Sequence, residues 1–207
     1  MRECQRHTCQ IAVSGRTRYY PFTMHIIGIT GTLGAGKGTL VEYLETKGYR
    51  HVAVSDTFLA NEAKKRGLTA DRITRRDIAN EYRAQGATKL MEAVYNIALP
   101  LIDEGKKVVI EPQHTAAEVL FIKSKGGIVF AIDADLNVRY QRIRARGGTK
   151  DNVSFEEFSE EQEREMYSSN PNKNNLGDAI ACADIKLINN NSLEELHVQI
   201  DNALQQL

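Results

Sequence analysis

The chain has 207 residues, 42% hydrophobic and 26% charged, which is the usage of a folded globular domain and not of a disordered segment. Lys plus Arg and Asp plus Glu number 27 each, so no bulk positive field marks nucleic acid or an anionic lipid surface as a partner. Apolar runs such as 97–102 stop well short of the roughly 20 residues that a membrane helix needs, so no membrane span is expected either.

Residues 1–23 differ in composition from the rest of the chain. They hold Arg2, Arg6, Arg16 and Arg18 against Glu3 alone, a net +3 that leaves −3 for residues 24–207. The segment lacks the apolar stretch of a secretory signal. It reads as a disordered extension, as residues ahead of a true start at Met24, or as a targeting segment, and the folded domain is expected over 24–207. Cys4, His7 and Cys9 have the spacing of part of a metal site, without an evident fourth ligand, and incidental thiols are the plainer reading. With Cys182 they make three cysteines, too few for a disulfide framework, which points to a reducing, cytoplasmic setting.

From Met24 onward, β-branched runs near 25–30, 51–54, 107–111, 127–132 and 184–189 alternate with helical patterns. This alternation predicts an α/β fold, a five-stranded parallel sheet with helices on both faces. Thr115-x-x-Glu118, Ser154-x-x-Glu157 and Ser192-x-x-Glu195 each read as a capping box opening a helix. Gly48, Gly105 and Gly126 stand where helices stop before strands.

After the first strand comes Gly31-Thr32-Leu33-Gly34-Ala35-Gly36-Lys37-Gly38-Thr39, succeeded by a helical run. Strand, glycine loop, lysine and helix is the order that cradles a nucleotide triphosphate: main-chain amides turn onto phosphate oxygens, and Lys37 adds a compact charge at the β- and γ-phosphates. Gly38 stands where many such loops carry a Mg2+-binding hydroxyl, so carboxylates and water are expected to hold the metal. Asp56, just past the second strand, and Glu111, ending Val108-Val109-Ile110, lie beyond carboxyl ends of strands, where ligands of parallel sheets bind. Both are candidates for catalysis and for Mg2+ through water, with Asp56 also facing substrate.

Two basic groups stand further along the chain. Arg72, Arg76 and Arg83 share one helix face around Thr74 to Ala84, with Arg75 adjacent. They either bind the phosphoacceptor, for which Arg76 and Arg83 are the candidates, or pair at the surface with Asp71, Asp77 and Glu81. Arg139, Arg142 and Arg146 form a stripe on the helix after the fourth strand, placing Arg142 at ATP, Arg142 and Arg146 at the transferring phosphoryl, and Arg139 at substrate. A solvated basic face is the alternative. Residues 147–151 then lead into an acidic helix over 155–166, a short lid insertion able to close on the nucleotide and exclude water. His114 reads as a loop histidine or as a base.

Taken together, the phosphate loop, Val54-Ser55-Asp56, Glu81-Tyr82-Arg83-Ala84-Gln85-Gly86, Ala117-Glu118-Val119, Ile132-Asp133-Ala134-Asp135, Ser154-Phe155-Glu156-Glu157-Phe158 and Ile188-Asn189-Asn190 resemble the P-loop nucleoside and nucleotide kinases, in particular dephospho-CoA kinase and adenylate-kinase-like proteins. The resemblance covers residues 24–207 and implies a three-layer P-loop kinase fold. It also implies ATP and Mg2+ as cofactors, with dephospho-CoA or a (deoxy)nucleoside monophosphate as small-molecule phosphoacceptor. Ala60 stands where relatives often carry arginine, Glu111 where they carry aspartate, and Gln113 and His114 where an arginine is usual. An ATP-binding regulator without phosphotransfer is the alternative. A GTPase switch is disfavoured, since no Asp-x-x-Gly comes after the third strand and Asn172-Lys173-Asn174-Asn175 lacks the guanine-reading aspartate.

Overall fold

A computed structural model of the chain describes residues 9–13, 16–20, 26–147, 153–168, 170 and 173–207. Cys4 and His7, and residues 148–152 of the expected lid insertion, lie outside them. Strands β1 (Cys9–Val13) and β2 (Arg16–Tyr20) pair antiparallel as a separate two-stranded sheet, Cys9 opposite Tyr20.

The main sheet is five-stranded and parallel, in the order β4 (Tyr49–Ala53), β5 (Lys107–Gln113), β3 (Ile26–Gly31), β6 (Ile128–Asp133), β7 (Ile185–Ile188). The three inner strands carry continuous apolar runs, as in Ile26-Ile27, Val108-Val109-Ile110 and Ile128-Val129-Phe130-Ala131-Ile132, instead of alternating, because helices cover both of their faces. Ile26, Val108, Ile110 and Val129 point to one side, against Leu90, Met91 and Val94 of α4 (Lys89–Asp103) and Val119 and Ile122 of α5 (Ala116–Ser124). Ile27, Ile29, Val109, Phe130 and Ile132 point to the other, against Leu40 and Leu44 of α1 (Lys37–Thr46) and Leu196 and Ile200 of α9 (Leu193–Gln205). These are the three expected layers.

The remaining helices frame the carboxyl ends of the strands. A π-helical turn, Val54–Leu59, comes directly after β4 and runs into α2 (Ala60–Lys65) and α3 (Arg72–Gln85). Helices α6 (Leu136–Arg146) and α7 (Phe155–Met166) flank the expected lid insertion in sequence, and α8 (Leu176–Cys182) leads into β7. None of the helices among the described residues is long and apolar enough to cross a membrane.

Of the three expected capping boxes, only Ser154–Glu157 closes in both directions. Thr115 and Ser192 cap their helices by accepting from the amides of Glu118 and Glu195. The return bonds are missing because those glutamates face elsewhere: Glu118 joins Arg83 and the amide of His114, and Glu195 joins Asn191. At the sheet border the Gln199 side chain of α9 meets β7, accepting from Ile188 N at 3.0 Å and donating to Ile188 O at 2.9 Å.

Candidate active site

The loop between β3 and α1 crosses the sheet where the chain switches sides, since β3 lies between β5 and β6. Gly34 and Gly36 take φ of +81° and +103°, left-handed backbone that turns the chain from β3 into α1. A Cβ on Gly36 would meet Asn189 Nδ2 at 2.5 Å, and one on Gly34 would meet Arg139 O at 2.8 Å. Glycine is required at both places for conformation and for space. Gly38 has open surroundings. Thr32 is tied by its hydroxyl to Asp133 Oδ1 at 2.5 Å, and Asn189 Nδ2 donates to Ala35 O at 2.8 Å, so β6 and the end of β7 both brace the loop. Leu33, Ala35 and Thr39 fill the remaining loop positions. Lys37 curls back over it, donating to Gly31 O and Thr32 O, each at 2.9 Å. Burial lowers its pKa, with Glu111 the leading opposing influence.

The α6 stripe divides by depth. Arg139 lies under the loop, donating to Ala134 O at 2.8 Å, Leu33 O at 3.4 Å and Gln162 Oε1 on α7 at 2.6 Å, with Asp133 3.7 Å away. Its guanidinium therefore couples the phosphate loop to the lid helix. Arg142 donates to Asn189 O at 2.8 Å, beside the same loop, and Arg146 closes α6 where the lid segment begins. The solvated-face reading does not describe Arg139, which is buried.

Glu111 ends the buried run of β5 opposite Ala53 of β4. Burial raises its pKa, Lys37 and then His51 oppose that, and Asp56 adds to it, so Lys37, Glu111 and Asp56 share one electrostatic neighbourhood. The Asp56 carboxylate is largely exposed and accepts from Arg75 at 2.6 Å. The described residues contain no group of three or more His, Cys, Asp or Glu side chains able to hold a metal by themselves. One or two carboxylates beside a phosphate cradle do fit Mg2+, which keeps most of its water and takes phosphate oxygens as ligands.

Beyond these carboxylates lies a cavity of about 510 Å3, walled by α3, the π-helical turn Val54–Leu59, the end of β5, and α7. Arg72, Arg75, Arg76 and Arg83 all line it, so the structure brings the whole basic group of α3 to one place. Each has a carboxylate neighbour: Glu161 and Glu165 at 3.4 and 3.6 Å from Arg72, Asp56 for Arg75, Asp77 at 3.4 Å from Arg76, and Glu118 for Arg83. Arg83 and Glu118 form a buried pair at 2.9 Å. Glu118 also receives the amide of His114 at 2.7 Å, and Arg83 reaches Asn174 at 3.1 Å, which makes the pair a strut between α3, the β5–α5 corner and the 173–175 loop. His114 lines the cavity, its Nδ1 buried and without a hydrogen-bond partner among the described residues. Burial, aided by Arg83, Lys37 and Arg72, depresses its pKa well below 6.5 and keeps it neutral.

Sequence reasoning missed the part played by α7. Glu161 and Glu165 line the cavity, and Glu165 also acts electrostatically on Lys37. The signal was present as a stripe of Phe158, Glu161, Gln162 and Glu165 at i, i+3, i+4 and i+7, in which buried Phe158 marks the inner face. Arg75 as the partner of Asp56 carried no such signal, because the two come together only through the fold.

Residues 27–167 match the family described as the AAA domain. A UPF0200 protein of Pyrobaculum aerophilum is 32% identical over 187 residues, covering 89% of this chain and 99% of the relative. Among solved structures, shikimate kinase from Bacteroides thetaiotaomicron aligns with a TM-score of 0.54 at 14% identity over 88% of this chain and 99% of that one. Dephospho-CoA kinase from Campylobacter jejuni aligns at 0.51 and 17% over 89% and 97%. At these identities the two structures show a shared P-loop kinase fold.

Proposed function

The chain belongs to the AAA-domain family of P-loop proteins, and with it to the UPF0200 proteins, and on that footing we propose an ATP-dependent phosphotransferase acting on a small nucleotide-like acceptor. The observation that supports this reading is a glycine-rich phosphate loop with Lys37 folded back onto it, near enough to an arginine-lined cavity that Glu165, which lines that cavity, acts electrostatically on Lys37. A triphosphate laid along Gly31–Thr39 meets the loop amides and the amino end of α1.

Lys37 leaves its two loop carbonyls for the β- and γ-phosphates. Arg142 steadies the nucleotide beside Asn189, and Arg146 closes on the phosphoryl from the root of the lid. Asp56, held by Arg75, orients the acceptor, while Arg76 and the Arg83 strut shape its cavity. Arg139 acts on substrate through the lid, by way of Gln162. Mg2+, when bound, neutralises phosphate charge, and Glu111 and Asp56 would hold it through water.

Dephospho-CoA, through its ribose hydroxyl, and a (deoxy)nucleoside monophosphate, through its phosphate, are the acceptors to try. The test is ADP formation by the full chain with ATP, Mg2+ and each acceptor in turn, alongside calorimetry of MgATP binding. Acceptor-dependent ADP supports the reading. ATP binding without any transfer points instead to a nucleotide-binding regulator, and absence of ATP binding overturns both.

A further inference from the structure

We infer that Glu165 is the general base of the reaction and that the acceptor reacts through a hydroxyl group, giving a phosphate monoester. The inference rests on the phosphotransferase reading above and narrows it. Glu165 lines the acceptor cavity and is one of the two leading carboxylate influences on Lys37. Glu161 also lines the cavity but is held closer by Arg72, at 3.4 Å, and Glu111 acts on Lys37 without lining the cavity. Asp56 is not among the residues lining the cavity, and its carboxylate is already engaged by Arg75 at 2.6 Å. Arg72, the nearest cation on the facing helix, stands 3.6 Å from Glu165, beyond a good hydrogen bond, so it attracts the carboxylate without capturing it. Burial raises the proton affinity of Glu165 and Glu161 adds to it, while Arg72 and Lys37 draw it down, the balance lying above the usual carboxylate range.

The charge around the cavity selects the acceptor class. A phosphate monoester brings a nucleophile that is already anionic and needs uncommitted cations. Here each of the four cavity arginines has a carboxylate beside it, and Glu111 and Glu165 both act electrostatically on Lys37. A second dianion would meet like charge at the point of transfer. A hydroxyl needs the reverse: little neutralisation and a base within reach. In the step, the acceptor oxygen attacks the γ-phosphorus and forms the new O–P bond. The bond from that phosphorus to the β-bridging oxygen breaks, its electron pair leaves with ADP, and the hydroxyl proton passes to the Glu165 carboxylate.

The experiment uses the full chain with ATP, Mg2+ and either dephospho-CoA or a nucleoside 5′-monophosphate, which offers both nucleophiles in one molecule. Phosphorus NMR reads the product: an ester resonance without phosphorus–phosphorus coupling supports the inference, and a new phosphoanhydride doublet on the acceptor overturns it. Glu165→Gln should lower kcat by about 10²–10⁴-fold with KM for ATP nearly unchanged, and Glu165→Asp should recover part of the loss. Where neither acceptor is used, slow transfer to water carries the same comparison, because water also reacts through O–H. Unchanged turnover in Glu165→Gln overturns the inference alone if Lys37→Ala lowers turnover. Turnover indifferent to Lys37→Ala, or absent from the parent chain, overturns the phosphotransferase reading and this inference with it.

Discussion

Arg139 donates to Gln162 at 2.6 Å while the same guanidinium nitrogen reaches the Leu33 carbonyl at 3.4 Å, so one side chain spans the phosphate loop and the lid helix. Phe158 and Tyr140 pack beside it, with the Arg139 guanidinium 5.9 Å from the Phe158 ring centre. Binding that orders the loop is therefore expected to reach α7 through this side chain. A non-hydrolysable ATP analogue should slow amide exchange across 155–166 in the parent chain, and Gln162→Ala should remove most of that slowing. Mass-spectrometric hydrogen exchange measures both, and an undiminished response in the variant would show that the lid responds to the nucleotide by another route.

Lys37→Ala should reduce turnover by about 10²–10³-fold, the usual cost of removing one preorganised group that stabilises transition-state charge. The fold should survive. The hydrogen bonds that Lys37 donates go to Gly31 O and Thr32 O, and Thr32 O keeps the amide of Ala35. Steady-state kinetics beside a circular dichroism melt checks both halves, and full activity would remove the lysine from the mechanism.

The Arg83–Glu118 pair is almost wholly excluded from water, so removing one member strands the charge of the other. Arg83→Ala and Glu118→Ala should each cost about 3–5 kcal/mol in denaturant unfolding. The double replacement Arg83→Met with Glu118→Leu should cost less than the sum of the singles. A purely additive result would mean that the two ions do not interact energetically.

His114 makes stability depend on pH in a defined direction. Its folded-state pKa is depressed well below 6.5, so between these values the unfolded chain binds a proton that the folded chain refuses. Its contribution is level above about pH 6.5 and turns against folding as the pH falls below that value. Glu111 and Glu165, raised by burial, have the opposite slope and weaken stability as pH rises through the acid range. Urea unfolding at pH 7.5 and 5.5 should show a loss on acidification that His114→Gln diminishes, and an equal loss in the variant would refute the assignment.

The layered architecture was legible because burial on both faces leaves an unmistakable residue pattern, as in Val108-Val109-Ile110 and Ile26-Ile27. Strand limits came out within a residue or two: β5 runs on to Gln113 and β7 stops at Ile188. The phosphate loop was legible for a similar reason, since its chemistry is local and its glycines lie within one short stretch of chain. The pairings that shape the cavity were not. Arg83 meets Glu118 across 35 positions, and Glu118 had a sufficient local explanation as a helix cap. The π-helical turn at 54–59 likewise hid behind Ser55-Asp56-Thr57, which reads as an ordinary turn. Arg139, Arg142 and Arg146 share a helical stripe, yet their roles differ with distance from the loop, which spacing alone does not encode.

The amide of Gln199 imitates a neighbouring strand. By closing both hydrogen-bonding groups of Ile188 it terminates the ladder at the end nearest the loop, while Lys186 sets a charge further along the same strand. The carboxyl end of the β7 border is thereby blunted by the protein's own side chains against recruiting a stray chain.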